Sequence, residues 1–143
     1  MKRKIFALTV IVMFTTSIAD AAWDRNRIKP LSDEKKAKVQ EALPSKSLAK
    51  PKKARRVLIF YRCEGFVHSS ISAGNYAIKE LGKKTGAFEA DIADEYSVFT
   101  KDNLKKYDAI LFNNTTHLML KSDDQRNAII DFMNQGKGVA GIH

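Results

Sequence analysis

From position 56 onward the apolar residues fall into two alternating kinds of pattern. Val57-Leu58-Ile59-Phe60-Tyr61 is an unbroken apolar, β-rich run, the pattern of a parallel strand covered on both faces. Ile71, Gly74, Ile78 and Leu81 then recur at helical spacing behind Ser69 or Ser70 as a cap, and Gly86 after Lys83-Lys84 marks the stop. Phe88, Ala90 and Ile92 alternate with Glu89 and Asp91, which predicts a second strand. A short capped helix follows from Thr100 to Lys106, and Ala109-Ile110-Leu111-Phe112 reads as a third buried strand. Ser122 with Gln125 predicts a capping box, and Asp123 and Asp124 favour the same helix start. Arg126, Ile129, Ile130 and Met133 form a stripe that ends at Gly136 and is expected to be core. Val139-Ala140-Gly141-Ile142 opens a fourth strand.

Strands alternating with helices imply an α/β fold, with a parallel sheet covered on both faces and joined by right-handed crossovers. The expectation is a flavodoxin-like, doubly wound sheet of order 2-1-3-4, truncated after the fourth strand. Its ligand crevice should lie at the carboxyl ends of the first and third strands, where the topology changes direction.

The residues before position 56 are of another kind. Lys2, Arg3 and Lys4 precede an apolar run from Ile5 to Phe14, and Ala19-Asp20-Ala21 has the small-x-small form of a cleavage site. Residues 1–21 therefore read as a secretory signal peptide, and the protein as exported to a periplasmic or extracellular space. Residues 22–55 read as a basic arm and linker. Ser32, Asp33 and Glu34 start a short helix that Pro44 ends near Leu43, and a Lys- and Arg-rich tether runs from Ser45 to Arg56. Residues 56–143 form the remaining domain.

Charge sharpens this division. The net charge of +9 is distributed as +2 over residues 1–21, +8 over 22–56 and −1 over 57–143, so the foldable part is neutral. No nucleic-acid partner is expected, because no aromatic side chains interleave the basic run to stack on bases. Electrostatic contact of the arm with anionic envelope surfaces is expected instead. The single cysteine, Cys63, excludes an internal disulfide and a CxxC site.

The candidate chemistry gathers beyond strand ends. His68 follows the first strand, His117 the third and His143 the fourth, which places them toward one rim of the sheet. Glu64 precedes His68 on the same loop and is expected to orient it, with Arg62 and Cys63 more buried than Glu64. Asn113, Asn114, Thr115 and Thr116 offer amide and hydroxyl groups suited to polyols. Three histidines on separate loops suit a divalent metal or simply local hydrogen bonds; no cofactor is specified. Ser70 is expected to cap the helix it precedes and Cys63 to pack at a strand end, in preference to nucleophilic roles for either.

Four blocks carry a family resemblance: Arg56 to Phe60, Glu64 to Ile71, Tyr107 to Thr116, and Gly136 to His143. In this order they resemble the ThuA-like, trehalose-utilisation family, whose members continue past the Gly-Ile-His block. His117 departs from the small residue expected after the Asn-Asn-Thr-Thr block. The resemblance implies a carbohydrate-processing enzyme acting on disaccharides or keto-sugars, with His68 and His143 as acid/base groups or metal ligands and Glu64 as their partner. The alternative is a non-catalytic carbohydrate-binding or scaffold module of a larger envelope protein. The family shares its fold with class I glutamine amidotransferases, but His143 stands where their nucleophilic cysteine would be. An imidazole cannot replace a thiolate in that acyl transfer, so amidotransferase activity is not expected.

Overall fold

The computed structural model describes residues 23–142. The expected signal peptide and His143 lie outside the described residues.

Four strands form one parallel sheet: β1 (Arg56–Phe60), β2 (Glu89–Ala93), β3 (Ala109–Asn113) and β4 (Gly138–Ile142). Their order is β2-β1-β3-β4, as the alternating pattern required. Register is regular throughout, with Leu58 opposite Asp91 on one side and Ile110 on the other. The helices are α1 (Asp33–Ala42), α2 (Ile71–Thr85), α3 (Lys101–Leu104) and α4 (Asp123–Asn134).

Alternation along the strands sorts side chains to two faces. Leu58, Phe60 and Ile110 point to the face covered by α3 and α4, where they join Tyr96, Phe99, Leu104, Tyr107, Ala128 and Phe132 in the main core. Phe60 stands at its centre, 4.6 Å from the Phe99 ring and 6.1 Å from that of Phe112. Ile59 and Asn113, on the opposite face, are also completely buried, as is Ile71 at the start of α2. Glycine permits a close approach there: a Cβ on Gly74 would lie 2.7 Å from the Asn113 amide nitrogen. Gly86 ends α2 with φ +65°, the left-handed conformation that glycine adopts without strain.

Three local expectations are corrected. Ser70 occupies the position before α2, but its backbone is already helical (φ −77°, ψ −12°) and its side chain makes no capping bond. The entry is closed instead by the Ile71 N–H donating to the His68 carbonyl at 3.3 Å. In α4 the buried positions are Ala128 and Phe132, with Ile129 packed beside them. Ile130 and Met133 are 51% and 52% exposed, because insertion of the Phe132 ring into the core rotates them outward. The capping box is also displaced by one residue: Ser122 Oγ accepts from the Gln125 N–H, while Gln125 Oε1 accepts from Lys121 rather than Ser122.

The basic arm is docked. Helix α1 keeps its Ser32 cap and lies against α2, where Gln40 donates to Tyr76 and Glu80 and Lys84 donates to the Gln40 and Leu43 carbonyls. At the amino end of the sheet Asp108 accepts from the Arg56 N–H and from Arg55. The Arg56 backbone bond first, then the side chains of Arg55 and Lys53, hold its carboxyl down at about 2 against the cost of burial.

Candidate functional site

Among the candidates read from the sequence, Glu64 and His68 sit beyond the carboxyl end of β1, Asn114 to His117 beyond that of β3, and Asn113 is the last residue of β3. Two contacts pin these loops to each other: the Glu64 N–H donates to the Thr116 carbonyl at 3.0 Å, and Cys63 Sγ lies 2.9 Å from Thr116 Oγ1. The Cys63 thiol also donates to the Phe66 carbonyl, and its side chain is completely buried. That is the environment of a packed thiol. The loop after β3 turns sharply because Asn114 and His117 adopt φ of 52° and 51°, conformations to which Asn and His are among the more tolerant residues.

Glu64 is held by two donors on this rim. Arg62 Nε donates to its Oε1 at 2.5 Å, and the Tyr96 hydroxyl donates to the same oxygen at 3.0 Å. The Met119 N–H in turn donates to the Tyr96 hydroxyl at 2.7 Å. Arg62 lies over the Tyr96 ring, 4.6 Å from its centroid, a cation on the negative face of an aromatic. Burial above all, with the Glu64 carboxylate adding to it and the Met119 amide opposing, raises the Tyr96 pKa above its usual value. It therefore stays protonated as a donor to Glu64. Burial works against the charge on Arg62, but the hydrogen bond and charge of Glu64 outweigh it and raise its pKa.

This arrangement changes two expectations. Among the described residues Glu64 makes no hydrogen bond to His68; its carboxylate is directed to Arg62 and Tyr96. His68 is exposed, and its ring meets Phe66 edge-on at 4.9 Å. Cys63 is indeed more buried than Glu64, but Arg62 is not: both side chains of the ion pair are 15% exposed, because each covers the other.

The Asn-Asn-Thr-Thr segment divides by depth. Asn113 is completely buried and its amide nitrogen donates to the Ile71 carbonyl and to Asn75 Oδ1, which makes it a tie between β3 and α2. Asn114, 8% exposed, uses its N–H on the Ile142 carbonyl at the end of β4. Thr115 and Thr116 are half-buried nearer the surface. His117 is exposed, with Nδ1 near Gly65. His143 follows Ile142 outside the described residues. Among the described residues no group of three or more His, Cys, Asp or Glu side chains is placed to hold a metal ion.

The rim has a further wall that charge counting concealed. Residues 23–27 fold back over the carboxyl ends of β1 and β2, where the indole N–H of Trp23 donates to Asp94 at 3.0 Å and Arg25 grips the same carboxylate with two bonds of 2.9 and 2.7 Å. Asp94 is only 4% exposed. Trp23 also meets Tyr61 edge-on, at 6.1 Å, and lies 5.8 Å from the Arg62 guanidinium. The one signal for this docking was Trp23 itself, the single tryptophan of the chain, set in an otherwise polar segment. Beyond it, residues 27–32 and Lys35 face His68 and Ser69 across a cavity of about 410 Å³.

Residues 56–143 match the ThuA family, described as trehalose utilisation. No curated protein matches the chain. Among solved structures it is similar to a ThuA-like protein of Bacteroides uniformis, with 25% identity over 68% of this chain and a TM-score of 0.49. The chain spans 40% of that protein's length.

Proposed function

Because the chain belongs, through residues 56–143, to the ThuA family, we propose that it is an exported protein that processes disaccharides or keto-sugars at the rim where β1 and β3 end. The observation that carries this reading is the loop after β1. It presents an exposed imidazole, His68, and a carboxylate, Glu64, held by Arg62 and Tyr96. Imidazole is suited to moving protons near neutral pH. In a keto-sugar His68 takes the proton from the carbon beside the carbonyl, and the electron pair passes onto the carbonyl oxygen. Glu64, kept in one orientation by its two donors, accepts hydrogen bonds from sugar hydroxyls and fixes the ring relative to His68.

A binding module without turnover has its own support in Phe66, which is 72% exposed beside His68. An aromatic face in the open offers a platform for the C–H groups of a sugar ring. The two readings separate in one experiment on the full chain, using a 3-keto-disaccharide as substrate. Turnover that His68→Ala lowers 100-fold or more, within the usual range for a general base or acid, while sugar binding persists, supports catalysis. Binding without turnover, lost in Phe66→Ala, overturns catalysis in favour of the module.

A further inference from the structure

We infer that the cavity between the N-terminal arm and the His68 loop receives a compact oxyanion, the phosphate ester or carboxylate of an anionic sugar. This rests on the carbohydrate reading above and specifies the substrate class for the same rim. The cavity, of about 410 Å³, is lined on the arm side by Arg27, Lys29 and Lys35 and on the domain side by His68, Ser69 and Ser72. No Asp or Glu lines it. Its volume lies within the range of about 300–1000 Å³ usual for small-molecule sites.

The charges of the arm are sorted. Arg25 is matched to Asp94 and Glu95. Asp33 and Glu34, the acidic residues at the start of α1, pair with Lys36 and Lys38, and Asp24 accepts from the Asn26 N–H. Arg27, Lys29 and Lys35 form no ion pair among the described residues, and these three surround the cavity. Cations gathered around a concavity without counter-charge create a positive potential, focused by the low-dielectric walls, that an anion relieves. The enclosure is also built: Ser72 Oγ donates to the Lys29 carbonyl at 2.5 Å and ties the arm to α2. The amino end of the 15-residue α2 contributes its partial positive charge on the same side. An anion seated here would place the rest of its sugar beside His68.

The test titrates the full chain with inorganic phosphate, glucose 6-phosphate, gluconate and trehalose at low salt. The two sugar anions and phosphate should bind, and R27Q/K29Q/K35Q should weaken them ten-fold or more with trehalose unaffected; K50Q/K52Q, on the exposed linker, should change nothing. Should the triple variant fail to fold by circular dichroism, Lys29→Gln and Lys35→Gln taken singly should each weaken phosphate about three-fold, as expected for a shared electrostatic site. Unchanged affinity in the folded variants, or no anion binding by the unaltered protein up to about 10 mM, overturns the inference. Phosphatidylglycerol vesicles distinguish a lipid headgroup from a free sugar anion: charge-dependent vesicle binding without glucose 6-phosphate binding overturns it. Turnover of a neutral keto-disaccharide that ignores the triple substitution overturns the anionic substrate and leaves carbohydrate processing standing. Charge-dependent anion binding with no turnover of any sugar supports the anion site and removes catalysis.

Discussion

The β1 side of the sheet and the β4 side are built from the same kind of apolar sequence, yet only the first is a buried interior. Leu58, Ile59 and Phe60 of β1 are completely inaccessible, whereas all five residues of β4 are exposed and Val139 and Ile142 each show 42% of their surface. The difference is one of cover. β1 has a hydrogen-bonded strand on either side and helices on both faces, while β4 pairs with β3 alone among the described residues. An apolar run therefore specifies a strand but not its burial. The same contrast extends to the polar groups. Beyond β1 and β2, Arg62, Glu64, Tyr96, Asp94, Arg25 and Trp23 are joined by hydrogen bonds. At the β4 end the described linkage to the β3 loop is the single bond from Asn114 to the Ile142 carbonyl.

Three substitutions should separate the two sides, and each is read as a change in urea unfolding of the full chain. Phe60→Ala should be the most damaging, at about 3–5 kcal/mol, because it empties the centre of the core. A loss below about 1 kcal/mol would mean that the interior is far looser than its ring contacts indicate. Asp94→Ala should cost about 1 kcal/mol through the Trp23 hydrogen bond, the pair with the largely exposed Arg25 side chain adding little. Because Trp23 is the single tryptophan, its fluorescence reports the arm directly: emission should shift to the red as the indole becomes solvated. Emission that stays put would show that the arm docks without Asp94. Val139→Ser should change stability by less than about 0.5 kcal/mol, as for an ordinary surface position. A loss comparable to that of Phe60→Ala would show β4 to be covered in solution and would erase the contrast.

The elements were legible because they depend on local rules. The runs at Val57–Tyr61 and Ala109–Phe112 are continuous apolar stretches, the Ser32 and Ser122 caps and the Gly86 stop mark helix ends, and each lies within a residue or two of its place in the fold. The direction of α4 was not legible at the same resolution. Ile129 belongs both to the aliphatic stripe and to the buried flank, and the choice between Ile130 and Phe132 is made by the core cluster that Phe132 enters.

The candidate site divides in the same way. Sequence placed Glu64, His68 and Asn113 to Thr116 at strand ends, since a parallel α/β order determines which loops meet at the carboxyl edge. It could not say that Glu64 turns to Arg62 and Tyr96 and away from His68. Tyr96 lies 32 residues from Glu64, and adjacency along a loop says nothing about side-chain direction. Asn113 resembled a ligand-binding amide because its type is polar, but its position inward on β3 commits it to Ile71 and Asn75.

The amino-acid sequence by itself determined the strand and helix order, the sheet topology, and the identity of the loops that share a rim, because periodicity, caps and crossover handedness are short-range or topological constraints. Only the tertiary structure decided which apolar residues are interior, how Glu64 is held, and that a basic arm with no apolar stripe of its own closes over that rim. The core depends on the packing of distant side chains around Phe60, the Glu64 contacts on Tyr96, 32 residues away, and the closure of the arm on pairings across 69 to 71 residues, Trp23 and Arg25 with Asp94, none of which a local pattern records.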